Sequence, residues 1–223
     1  TAVAPSACTL RAAIQESNAL GGDYIVDVPA GAYRLTRITD GEDAGAWGDL
    51  DITAPVEISG AGIDVTTIDG LTKDRIFDVH SDMGTIHDLS VVGGYTYRSN
   101  GGCIRIDDGA SLLLEHANVK DCTAVEGFGG GLANSGDATI RYVNFRLGHA
   151  LSGGAIFNSS AHMRLSYSAV GNSDAEGRPE ISGDYGLGGG ILNKGALAGR
   201  SGGGPQARIA HANLGDEAWR TGC

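Results

Sequence analysis

The sequence predicts an all-β chain: a right-handed parallel β-helix, or solenoid, closed at its N-terminal end by one short α-helix. Three observations predict it. Glycine supplies 37 of the 223 residues, well above the roughly 7% of an average protein. Short apolar runs of like composition recur along the chain. A single helix-forming segment precedes them.

The helix comes first. Residues 9–20, TLRAAIQESNAL, put Leu10, Ala13, Ile14 and Ser17 on one face. Thr9 suits an N-cap, and Gly21 with Gly22 ends the helix. Laid over the first coil, that face covers an edge that would otherwise invite strand addition. Residues 1–22 therefore read as a cap, 23–100 as irregular early coils, and 101–223 as regular glycine-rich coils of the same single domain.

In the regular part four segments begin alike, at 102–106, 130–134, 154–158 and 189–193. A turn and a second strand follow each, at 114–119, 140–145, 165–170 and 209–214. An alanine closes each unit: Ala124, Ala150, Ala175 and Ala218. First strands are spaced by 28 residues (104 to 132), 24 (132 to 156) and 35 (156 to 191). The long interval reads as one coil plus an insertion near 174–187, and a second insertion near 199–205 enlarges the last coil. Each strand offers only two or three apolar positions, too few for an independent sheet. Stacking coils about 4.8 Å apart buries those positions against their equivalents above and below. Asn134, Asn158 and Asn193 then form an amide ladder along the rod, which Ile106 interrupts at its first rung.

Charge and cysteine usage bound the partners. A formal charge of −11 repels a phosphate backbone, so no nucleic acid is expected. No apolar run reaches the roughly 18 residues of a transmembrane segment. The first six residues resemble the stretch just after a signal-peptide cleavage site, and four cysteines suit an oxidising compartment. The expected location is exported: extracellular, cell surface or periplasm. Cys103 and Cys122 fall within one coil and form the expected disulfide. Cys8 and Cys223 lie at opposite ends of a rod, and they bond only if the tail runs back along its side.

The segment Cys8-Thr9-Leu10-Arg11-Ala12-Ala13-Ile14 resembles the Cys-Ser-Leu-Arg-Glu-Ala-Ile start of bacterial CSLREA-domain proteins. Gly22-Asp23-Tyr24-Ile25, Pro29-Ala30-Gly31-Ala32-Tyr33, Gly48-Asp49-Leu50-Asp51-Ile52 and Ile58-Ser59-Gly60-Ala61-Gly62 resemble the same N-terminal region. Gly153-Gly154-Ala155-Ile156 is similar to the repeat of polymorphic outer-membrane proteins. The resemblance implies a bacterial, exported or surface-attached right-handed β-helix and says little about activity, because this fold hosts adhesins, lyases and hydrolases alike. Thr9 and Ala12 depart from the pattern, where that family has serine and glutamate.

Three groups of residues carry candidate chemistry. His116, Tyr142, Tyr167 and His211 share one register on successive coils, predicting a stripe of rings about 4.8 Å apart. Ring faces suit sugars; the same stripe would also serve as a stacking ladder that stabilises one corner. Arg141, Arg164 and Arg208 are placed beside it, with His87 and Glu115 on neighbouring coils. Asp107, Asp108 and Asp121 are the nearest turn acids, and no paired-acid signature emerges. Tyr95 and Tyr97 are expected on an exposed loop suited to anchoring a partner. The acidic run 40–51, with Glu42, Asp43, Asp49 and Asp51, offers oxygen ligands for Ca²⁺, or is a solvated loop. No cofactor is required by the sequence. The expected function is a secreted or surface-exposed binding or structural protein, adhesin-like or part of an extracellular assembly. Its partner would be an extracellular protein or glycan, without catalysis. The alternative is a polysaccharide lyase or glycoside hydrolase acting on an acidic glycan.

Overall fold

The computed structural model describes residues 8–37, 46–159, 162–177, 188–194, 196–199 and 208–209. Its strands pair in parallel throughout, and they stack in two sheets as a β-solenoid. The longer sheet runs through Tyr24–Val28, Val56–Gly60, Gly84–Val92, Ser111–Phe128, Asp137–Ser152, His162–Ser166 and Ala196–Gly199. The shorter runs through Leu50–Ile52, Phe77–Val79, Ile104–Ile106, Leu132–Asn134, Ile156–Asn158 and Ile191–Asn193.

The repeat register is the one that spacing predicts. Leu132 pairs with Ile104 on one side and Ile156 on the other, and Ile156 pairs with Ile191. Ala124, Ala150 and Ala175 lie over one another. Inward positions are apolar and almost fully buried, from Leu50 and Ile52 through Phe77, Ile104, Leu132 and Ile156. Every such residue gains neighbours above, below and across the rod, which is how a strand of three residues becomes stable.

The amide ladder is present. Asn134 Nδ2 donates to Asn158 Oδ1 at 2.7 Å, and Asn158 Nδ2 to Asn193 Oδ1 at 2.7 Å. Ile106 faces Asn134 from below and leaves its Oδ1 buried without a hydrogen bond. A second polar column runs up another flank, with Asn144 donating to Asn118 and Asn118 to Ser90.

The cap helix spans Leu10–Leu20. Thr9 Oγ1 accepts from the Ala12 amide, and Gly21 closes the helix with a left-handed φ of 66°. Leu10, Ile14 and Ser17 are buried as the amphipathic pattern predicts, and Ala13 packs against the core. Arg11 is buried too, because its guanidinium donates to the carbonyls of Trp47, Gly48 and Asp49. Asn18 holds the Asp51 carbonyl and the Thr53 and Ala54 amides. The helix is thus tied to the first coil by polar contacts at both ends of its buried face.

Several expectations need correction. The last coil does not keep the predicted register. Leu165 pairs with Gly199 rather than Ile209, and Ile209 pairs with Val170. The chain resumes its strand directly after the third asparagine, at Ala196–Gly199, and an Ala- and Gly-rich strand carries almost no apolar signal. Asp174–Ala175 is a strand paired with His149 and Ala150 rather than part of the insertion. Tyr95–Tyr97 is likewise a strand, paired with residues 123–125, and not a loop. The disulfide joins Cys103 and Cys122, with 5.4 Å between their Cα atoms; Cys8 is an exposed free thiol, and Cys223 lies outside the described residues.

Candidate functional site

Ring residues occupy a corner of the coil. Four successive coils bend there at one residue with positive φ: Asp88 (55°), His116 (43°), Tyr142 (55°) and Tyr167 (50°). Left-handed backbone disfavours large side chains by about 1–2 kcal/mol per residue. A second corner, at Asp121, Leu147 and Asn172, bends in the same way without rings. Backbone geometry therefore does not call for aromatics, and the first corner's rings answer to side-chain chemistry.

The stripe is real from His116 to Tyr167. Ring centroids are 4.9 Å apart at both steps, with interplanar angles of 13° and 8°. Stacking of this kind contributes about 0.5–1.5 kcal/mol per pair, which offsets much of the corner's conformational penalty. Tyr142 and Tyr167 remain 46% and 47% exposed. Yet their faces cover one another: no sugar ring fits into a 4.9 Å interval. The column presents ring edges and phenol hydroxyls to solvent, not a row of open faces. His211 lies outside the described residues, and the shifted last register pairs Arg208 with Ala169, two residues past the ring row.

Neighbouring charges sort along the rod. Arg141 and Arg164 are exposed on the upper coils, with Arg141 donating to Glu115 at 3.2 Å. Below, His87 contacts Asp88 at 2.7 Å and Glu57 at 3.1 Å. Asp88 and His116 also line a shallow, open depression with Gly62, Ile63, Asp64 and Val65. Tyr97 is exposed beneath the Arg98 guanidinium, 5.0 Å from its ring.

His87 offers a pH-dependent observable. Burial lowers its pKa, but the hydrogen bonds and charges of Asp88 and Glu57 outweigh burial and raise it above 6.5. A histidine held charged in the fold stabilises fully below its unfolded pKa, and that contribution is lost as pH rises through the raised value. The wild-type Tm should therefore decline from pH 6 to pH 8 more steeply than that of His87→Gln. Parallel profiles in a thermal-melt series would refute this.

A second concentration of charge lies on the shorter sheet, and the acidic run 40–51 contains only its edge. Asp51, Asp78 and Arg105 point outward from one register on three successive rungs. Arg75 pairs with Asp49 at 3.0 Å and with Asp78, and Arg105 pairs with Asp78 and Asp107. Asp51 and Asp78 are almost fully buried. Burial pushes the Asp49 carboxyl up to about 7; Arg75 opposes the rise, and Asp51, Asp78 and Asp74 add to it. Of the residues expected to hold Ca²⁺, Asp49 is thus committed to Arg75, Asp51 belongs to this buried cluster, and Glu42 and Asp43 lie outside the described residues. A legible signal existed: 50–52, 77–79 and 104–106 each read apolar–charged–apolar at intervals of 27 residues (50 to 77 to 104). Comparison with protein-family models, curated proteins and solved structures finds no match to this chain, so the geometry of these two flanks carries the functional reading.

Proposed function

We propose that the chain is an exported, surface-exposed β-solenoid that binds an extracellular glycan or protein partner along its ring corner, without catalysis. The observation that carries this reading is the column His116–Tyr142–Tyr167: three half-exposed rings held in register at a corner whose backbone does not require them. Tyrosine edges and hydroxyls, flanked by Arg141 and Arg164, offer hydrogen-bond donors and acceptors at the regular interval of the coils. Such a surface reads an extended ligand lying along the rod.

The nearest carboxylates support binding over hydrolysis. Glu115 is engaged by Arg141, and Glu57 and Asp88 by His87, whereas a glycosidase places two carboxyls at a set separation across its substrate. The depression beside His116 is open rather than a cleft. Export is supported by the Cys103–Cys122 disulfide and by the resemblance of residues 8–14 to the CSLREA start. Among the described residues no helix is long and apolar enough to cross a membrane.

The test is a glycan array together with pull-down from an extracellular matrix, each followed by titration of the captured ligand. Tyr142→Ala/Tyr167→Ala should weaken binding at least about 10-fold, equivalent to about 1.4 kcal/mol, with the fold intact by circular dichroism. Undiminished affinity in the double variant would remove this corner from consideration, and release of reducing or unsaturated ends would establish the catalytic alternative.

A further inference from the structure

We propose that Asp51, Asp78 and His80 form a binding site for a divalent cation of the zinc class, which staples the first coils of the solenoid. Asp51 and Asp78 sit on adjacent rungs of the shorter sheet, His80 follows directly after the second, and one donor atom from each lies within 4.8 Å of the others. His80 Nε2 stands 3.6 Å from Asp51 Oδ1 and 3.7 Å from Asp78 Oδ1. Both separations exceed a hydrogen bond. They match what a metal needs: ligands bound at about 2.0–2.2 Å in tetrahedral geometry lie about 3.3–3.6 Å apart.

Orientation of the imidazole is the second, independent observation. His80 Nδ1 lies 2.8 Å from Asp107 Oδ2, an arrangement in which Nδ1 donates and the carboxylate accepts. That bond directs Nε2 inward, where it is buried and makes no hydrogen bond. A carboxylate holding the far nitrogen of a histidine is the recurrent support of metal-ligating imidazoles, because it fixes both tautomer and ring angle. A nitrogen lone pair facing two carboxylate oxygens is repulsive unless a cation or a proton stands between them.

Asp78 pairs with Arg75 and Arg105, and Asp107 with Arg105 and His80. Arg105 Nε donates to Asp78 Oδ1 at 2.9 Å, which orients that carboxylate and leaves its second lone pair for a ligand. One imidazole and two carboxylates suit Zn²⁺ or Mn²⁺; Ca²⁺ prefers six to eight oxygens. His80 is about one-quarter exposed, giving an ion a route from solvent. By contrast His149, beside Asp174 and Glu176, meets carboxylates that are two-thirds exposed and has no such enclosure. A proton on His80 Nε2 is the competing way to satisfy this convergence, and the experiment has to separate the two.

Chelator-stripped wild-type protein should be titrated with Zn²⁺ by calorimetry, beside His80→Gln, Asp107→Asn and His149→Gln. One ion per chain should bind to wild type and to His149→Gln and raise their Tm. His80→Gln should lose both effects, and Asp107→Asn should bind about 10–100-fold more weakly, the usual consequence of removing such a support. Should His80→Gln fail to fold, Co²⁺ added to wild type gives a readout that needs no variant: paramagnetic shifts of the His80 ring protons in the NMR spectrum. Absence of saturable binding, undiminished binding by His80→Gln, or shifts centred on His149 would each overturn the site and leave the protonated histidine as its explanation. None of these outcomes bears on the ring corner, so this inference and the proposed binding function fail separately.

Discussion

Gly130→Ala should unfold the chain or lower its stability by about 3 kcal/mol or more, at the upper end of what overpacking does. A Cβ built at Gly130 would stand 2.4 Å from the Gly154 carbonyl oxygen, 2.5 Å from the His149 amide nitrogen and 2.6 Å from the His149 carbonyl oxygen. These are backbone atoms of the next coil, so no rotamer change relieves the contact. Relief requires two rungs to separate, and the rungs are held by Gly131 and Leu132 donating to Ala155 and by the Leu132–Ile156 pairing. The effect is steric and not conformational. Gly109→Ala is the control, since Gly109 has a left-handed φ of 80° but nothing within 4 Å of a new Cβ. It should lose only the roughly 1–2 kcal/mol that left-handed backbone imposes on a side chain. Urea denaturation of both variants measures the difference; equal midpoints would mean that the coils are not packed as closely as described.

Coil register was legible because the signal is repetitive: a branched apolar residue at 104, 132, 156 and 191 specifies its own neighbours, and glycine marks where backbones approach. The stacked rings at 116, 142 and 167 followed from the same register. Their mode of exposure did not, because a spacing of one coil says nothing about whether faces or edges meet solvent. Arg208 falls outside the predicted register for the opposite reason: Ala196–Gly199 supplies the strand with scarcely any apolar pattern, while the later segment 209–214 carries the louder one. The Arg75–Asp78–His80–Arg105 cluster is hard to read from the sequence because buried charge is rare. Outward positions of a strand are ordinarily read as solvated, whereas Asp51 and Asp78, stacked in register with Arg105, are almost fully buried.

That cluster supplies the other large effect. Arg75→Met should destabilise the protein by about 3–5 kcal/mol, the usual consequence of leaving buried charge uncompensated. The guanidinium is nearly inaccessible and fully used: Nη1 serves Asp49 and Asp78, Nε donates to the Gly101 carbonyl at 3.1 Å, and Nη2 donates to Ser99 Oγ at 2.9 Å. Methionine fills much of the volume but makes none of these bonds. Asp78 keeps Arg105, so Asp49 is the carboxylate most exposed to the loss. Asp49→Asn added to Arg75→Met should accordingly recover part of the stability, a positive coupling that a double-mutant cycle measures. The exposed pair Arg98–Glu126, at 2.8 Å, is the reference, and Arg98→Met should change the Tm little because solvent screens it. The damage should also travel to the cap. Arg11 holds the helix to the backbone of residues 47–49, and Asp49 is fixed there by Arg75, so amide exchange in Leu10–Leu20 should accelerate in Arg75→Met and not in Arg98→Met. If the two arginine variants lose stability equally, or if the helix amides stay protected, the buried ion pairs are not what joins the cap to the first coils.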